Sequence, residues 1–160
     1  MRIVPLDRLL LDFAIEGERD TMAARVVVTD EQRNALLNEH AHALLSRGLV
    51  VMAAGLILWW PGRAEGWVFV HREARPREIV YGCHAVRRWL DRIQEEDPLK
   101  YRRIEIAVRR DAPWRETFTG MLGFKLEGIL EAFDTEGRDA CVYRRLAAEM
   151  RQIPALRRAA

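Results

Sequence analysis

The stretch "LVVMAAGLILWW", Leu49 to Trp60, constrains the fold of this chain more than any other. Its twelve apolar residues fall short of the roughly 20 that a helix needs to cross a bilayer core, so the run belongs in a protein interior. Before it, "SRG" can turn the chain because Gly48 accepts a positive φ, which predicts an antiparallel hairpin with "HAHALL". After it, "PGRAEG" is expected as a second turn, and "WVFVHRE", from Trp67, as the third strand of a meander.

Helical periods flank the meander. "RIVPL" predicts a short strand, with Pro5 in the first turn of a helix whose apolar face is Leu6, Leu9, Leu10, Phe13 and Ala14. "RVVV", 25–28, suits a strand or a loop, and "TDEQRNALLNE" predicts a helix capped by Thr29 or Asp30 and anchored by Leu36 and Leu37. Beyond the meander, Ile79, Cys83, Val86, Leu90 and Ile93 recur at steps of four and three, the mark of an amphipathic helix. "RRIEIAVRR" alternates instead, with Ile104, Ile106 and Val108 on one face and Arg103, Glu105 and Ala107 on the other.

"DAPWRETFTGML" predicts a helix capped by Asp111, with Pro113 early, that ends where Gly123 can go left-handed and release a strand at Phe124. "DTEGRD" is the turn into a closing strand, "ACVYRRL". The order is that of an α/β domain over residues 1–146, followed by a basic tail, 147–160, interrupted by Pro154.

Composition narrows the function. Of the 160 residues 49% are apolar and 31% charged, which supports one domain with a core and excludes wholesale disorder. A net charge of +2 gives little ground for nucleic-acid binding. Cys83 and Cys141 stand far apart outside any CxxC pattern, and His40, His42, His71 and His84 lack metal-ligand spacing, so no disulfide framework and no metal site is expected. The N-terminus carries charges within its apolar part and no small-residue cleavage signal, which predicts a cytoplasmic protein without a membrane segment. Trp59, Trp60 and Trp67 are expected to pack in the core and sheet.

One segment goes further. "WRETFTGMLGFKLEGILEAFDTEGRDACVYRRL" resembles the C-terminal half of the GCN5-related N-acetyltransferases, whose fourth helix runs into Leu-Gly-Phe, a strand with a Glu-Gly pair, a turn and a closing strand. The resemblance spans Ala41 to Leu146 and looks most like divergent phage-encoded members of that family. It implies the GNAT-like acyl-CoA N-acyltransferase fold, a mixed, mostly antiparallel sheet flanked by helices. It also implies a slot between the strands at Trp67 and Ile104 for acetyl-coenzyme A.

The family holds the cofactor pyrophosphate on backbone N–H groups of a (Gln/Arg)-x-x-Gly-x-(Gly/Ala) loop at the start of its third helix, where amides and dipole attract phosphate. By resemblance that loop is "REIVYG", with Arg77 first, Gly82 last and Val80 in place of the middle glycine; Arg72 and Arg75 add guanidinium groups for phosphate. Backbone groups of "VFVHR", Val70 among them, would align the pantetheine arm. Where many members carry a tyrosine acid, this chain has Thr119, which leaves Tyr81, Tyr101, Tyr143 or water; Glu105 and His71 are the candidate bases.

Two functions follow from the resemblance. One is acetyl transfer from acetyl-coenzyme A to a small-molecule or protein amine. The other is a non-catalytic module of the same fold, acting in a homo-oligomer or with partners in a virion, the chain then residing in the host cytoplasm or the particle.

Overall fold

The computed structural model describes residues 1–18 and 29–150. "RVVV" and residues 151–160 of the tail lie outside the described residues. In chain order the elements are β1 (Arg2–Pro5), α1 (Arg8–Glu16), α2 (Asp30–Leu36), β2 (His42–Ser46), β3 (Leu49–Trp60), β4 (Arg63–Val70), α3 (Pro76–Glu96), β5 (Arg103–Arg109), α4 (Arg115–Leu122), β6 (Lys125–Leu130), β7 (Ala140–Leu146) and α5 (Ala147–Met150).

The strands form one seven-stranded sheet in the order β1-β2-β3-β4-β5-β7-β6. Every neighbouring pair is antiparallel except β4 and β5, which are joined in parallel through the α3 crossover. One face packs against α3 and α4 through Leu44, Met52, Cys83, Leu90, Ile104 and Phe118. The other packs against α1 and α2 through Leu11, Ala14, Leu36, Ala43, Val50 and Phe69. The sheet thus has a helical layer on each side, the expected α/β architecture.

The meander follows the alternation in the sequence. Arg47 and Gly48 both take positive φ, 55° and 77°, the mirror-image turn that matches strand twist. At the second turn Pro61 and Gly62, with φ 96° at Gly62, suffice to reverse the chain, and Trp60 already faces Arg63. The third meander strand therefore starts at Arg63 rather than Trp67, and "RAEG" is strand rather than loop.

Three further expectations change. Pro5 closes β1 opposite His42 on the sheet edge, where its missing N–H costs nothing, and Asp7 caps α1 by accepting the Leu10 N–H at 2.9 Å. The buried stripe of α1 is Leu11 and Ala14, while Leu9 and Phe13 face outward. Asp111 does not cap α4: its carboxylate pairs with Arg109, and Trp114 holds the cap position. Gly123 does end α4 in the left-handed region, φ 80°, and the Phe124 N–H bonds back to the Thr119 carbonyl at 3.0 Å.

Candidate active site

β4 and β5 pair only over Arg63–Arg103, Ala64–Ile104 and Glu65–Glu105, and there the ladder ends. Past this point a cavity of about 200 Å³ lies between them, walled by Gly66, Trp67 and Val68 of β4 and Ile106, Ala107 and Val108 of β5. Gly66 is the first β4 residue past the ladder. A Cβ on it would stand 2.9 Å from Ile106 Cγ2, so only bare backbone fits there. Towards α3 and α4 the walls are apolar, with Cys83, Val86, Phe118 and Leu122; burial pushes the Cys83 thiol up to about 11, so it stays protonated and inert at neutral pH.

Glu65 is a carboxylate in the wall of this cavity. Its side chain projects to the α1–α2 face, where Trp59 Nε1 donates to Glu65 Oε2 at 2.9 Å. An expectation of one turn over "PGRAEG" hides Glu65; the signal for it is Pro61-Gly62, a complete turn in two residues.

Glu105 lies beside Glu65 in the ladder, yet its carboxylate is already engaged. Arg63 Nε donates to Oε1 at 2.8 Å and Arg103 Nε to Oε2 at 2.7 Å. Burial alone would push the carboxyl up, but the two guanidiniums outweigh it and hold it below the usual carboxylate range. Arg103 continues to Glu127, and Arg144 joins Glu127 to Glu149. Glu105 anchors the closed end of the slot.

His71 follows the last residue of β4, away from the cavity walls. Its ring packs on Gly17, whose added Cβ would meet it at 2.1 Å, and its Nδ1 accepts the Glu73 N–H at 3.1 Å. Tyr81 is exposed on α3 and does not line the cavity. Tyr101 bonds His40 at 3.1 Å, and Thr119, fully buried, donates its hydroxyl to the Arg115 carbonyl at 2.9 Å. No tyrosine hydroxyl lines the cavity.

The start of α3 differs from the expectation. The helix begins at Pro76, so Val80 and Gly82 stand in its second turn and not in a loop. Pro at the first helical position and Glu78 at the third start the helix earlier than the apolar period at Ile79 suggests. Val80 is exposed, and Gly82 lets α3 approach the sheet, since a Cβ there would meet Met52 Sδ at 2.7 Å. Val70 is buried in the core on the α3 side.

The amides of this segment are largely committed. The Arg75 N–H donates to Glu78 Oε2 at 2.8 Å, those of Glu78 and Ile79 to the Arg75 carbonyl, that of Ala74 to His71 and that of Arg72 to Gly17. Pro76 has none. Arg77 alone in residues 72–79 keeps a main-chain N–H without a partner among the described residues. The Glu78 carboxylate, itself buried, also accepts from Ser46 Oγ at 2.6 Å and from Arg47 Nε and Nη2 at 3.0 Å each, and these bonds hold it far below the usual carboxylate range. The Arg72 side chain bonds the Glu16 and Gly17 carbonyls at the end of α1, while Arg75 and Arg77 are exposed.

The coenzyme A that the resemblance implies would meet two different surroundings, the slot wall and the start of α3, whose residues 72–79 do not line the slot. The apolar walls beside Gly66 would suit its thioester end. The start of α3 offers one free main-chain N–H rather than a cradle of them, so phosphate there would rest on the Arg75 and Arg77 side chains. Among the described residues no group of three or more His, Cys, Asp or Glu is placed to hold a metal, and no helix is long and apolar enough to cross a membrane.

This fold is shared by solved N-acetyltransferases. Three solved structures share it: a ribosomal-protein-alanine N-acetyltransferase from Brucella melitensis (TM-score 0.69, 18% identity, 91% of this chain and 99% of that one), the ribosomal-protein-S18-alanine N-acetyltransferase from Escherichia coli (0.68, 16%, 91% and 93%) and an N-acetyltransferase from Staphylococcus aureus Mu50 (0.69, 17%, 91% and 98%). The sequence matches no protein-family model and no curated protein.

Proposed function

We propose that the chain is an N-acyltransferase that takes an acetyl group from acetyl-coenzyme A and passes it to an amine. The observation that carries this reading is the parting of β4 and β5 after Glu65 and Glu105, which opens a slot through the sheet with a carboxylate in its wall. Acetyl-coenzyme A, when bound, supplies the activated acyl group.

The protein's part is to position and to move a proton. Glu65 accepts the proton of the incoming ammonium, directly or through one water, and the Trp59 indole fixes its orientation. Glu105 keeps Arg63 and Arg103 in place at the closed end. The Thr119 hydroxyl is committed to its own helix, so α4 donates no tyrosine proton and water takes that role. Holding donor and amine together supplies much of the rate. Two of the structural neighbours are named for acylating alanine of ribosomal proteins; a small-molecule or protein amine is the acceptor class here.

A second reading, a non-catalytic module in an oligomer or a phage particle, is favoured by the committed amides at the start of α3. One experiment separates the two. Acetyl-coenzyme A should raise the melting temperature, and thiol release with a panel of amines should fall at least tenfold in Glu65→Gln with the melting temperature unchanged. A thermal shift without thiol release supports the module, and no shift at millimolar ligand removes the transferase.

A further inference from the structure

A second cavity lies on the α3 side of the sheet, between α3 and the β1–β3 edge, with a volume of about 500 Å³. That is within the span of small-molecule sites, about 300–1,000 Å³. Its floor is Leu44, Met52 and Ala54 and its wall is Ala85, Val86 and Trp89, with Ile3 at the open edge. Met52, Ala54, Val86 and Trp89 also line the slot between β4 and β5, so the two cavities share one wall. α3 is held close to the sheet at Gly82, where Met52 Sδ fills the gap, while the small side chains of Ala54 and Ala85 line the cavity and leave space in it.

The polar groups at this cavity are cationic or neutral. Arg88 and Arg92 line it, four residues apart on one face of α3, with His42 opposite; no Asp or Glu does. Neither arginine forms an ion pair among the described residues: Asp91 is taken by Arg145, and Glu95 and Glu96 pair with neither. Most other arginines of the described chain are matched, as in Arg8–Asp30, Arg47–Glu78 and Arg103–Glu127. Two like charges at this spacing repel, and a shared anion would relieve the repulsion through charge-assisted, two-point bonds.

We infer that this cavity binds a medium-chain aliphatic carboxylate, with the chain against Leu44, Met52, Ala54 and Trp89 and the carboxylate between Arg88 and Arg92. The inference does not depend on the transferase reading, since it concerns a different cavity and needs no turnover.

The test uses the full chain and sodium decanoate below its micelle concentration, followed by calorimetry and by tryptophan fluorescence. Saturable, one-to-one binding is expected, with the fluorescence change lost in Trp89→Phe. Arg88→Ala/Arg92→Ala, an exposed pair whose loss leaves the core intact, should weaken binding by about tenfold or more, the value of charge-assisted bonds. Decanol should bind the wild type no better than decanoate binds the double variant. Absence of saturable decanoate binding overturns the proposal. Equal affinity in the double variant overturns it as well, because the ligand would then be lodged elsewhere, as in the slot between β4 and β5.

Discussion

Glu65 and Glu105 are neighbours across three residue pairs of parallel ladder, and their surroundings give them opposite tasks. Glu105 is clamped by two arginines and its carboxyl is held low, so it stays charged and is a poor proton acceptor. Glu105→Gln is therefore expected to lower the melting temperature, by leaving Arg63 and Arg103 without their shared carboxylate, in contrast to the silent stability of Glu65→Gln. A calorimetric scan of both variants decides this; a Glu105 variant as stable as wild type would show that the clamp is not what closes the slot. Cys83 makes the same point about surroundings. It lines the slot, but with its thiol pushed up to about 11 it should resist iodoacetamide in the native protein at mildly alkaline pH and react once urea unfolds the chain. Mass spectrometry of the labelled peptides reads this, and rapid native labelling of Cys83 would contradict the burial.

Elements with a strong period were legible: the alternation through Ile104, Ile106 and Val108, the hairpin at Gly48, the break at Gly123 and the order of helices and strands all came from local chemistry. What sequence could not place was set by contacts across the fold. The start of α3 depended on Glu78, whose carboxylate is fixed by Ser46 and Arg47 from a hairpin more than thirty residues earlier. Trp59 and Trp60, expected inside, are about half exposed at the free end of β3, whereas Trp67 covers Gly55 and contacts Phe69. The clamp at α3 has a pH signature. Glu78 titrates lower in the folded protein than unfolded, so its contribution is complete above the unfolded carboxylate range, about 4.3, and is lost as pH falls below it. Glu78→Gln should be less stable than wild type near neutrality, with the difference shrinking at about pH 3 in urea denaturation. A difference constant across that range would remove Glu78 as the anchor.

At the scale of the molecule, a sheet joined across its middle by three residue pairs needs other ties, and Arg145 supplies one. It is buried on β7, with Nε bonded to the Gln94 side chain at 2.7 Å, Nη1 to the Leu122 carbonyl at 2.8 Å and Nη2 to Asp91. Gln94 in turn donates to the Tyr101 carbonyl at 2.9 Å. One guanidinium thus links α3, which leaves β4, to α4 and β7, which follow β5. Gly123 belongs to the same arrangement, because a Cβ on it would stand 3.2 Å from Arg145 Nη1. Burial alone pulls the Arg145 proton affinity down, and Asp91 opposes this without cancelling it, so the charge depends on its partners. Lysine keeps the charge but has a single nitrogen, and it cannot reach three partners set in three directions. Arg145→Lys should therefore cost about 1–3 kcal/mol for each buried partner left bare, and Asp91→Ala about 1.5–3 kcal/mol, the worth of a hydrogen bond to a charged group. In either variant, amide hydrogen exchange should speed up first in Ala64, Glu65 and Ile104, the ladder that the tie protects, before the β2–β3 hairpin responds. Uniform acceleration across the sheet would mean that Arg145 stabilises the fold as a whole and does not govern the opening between β4 and β5.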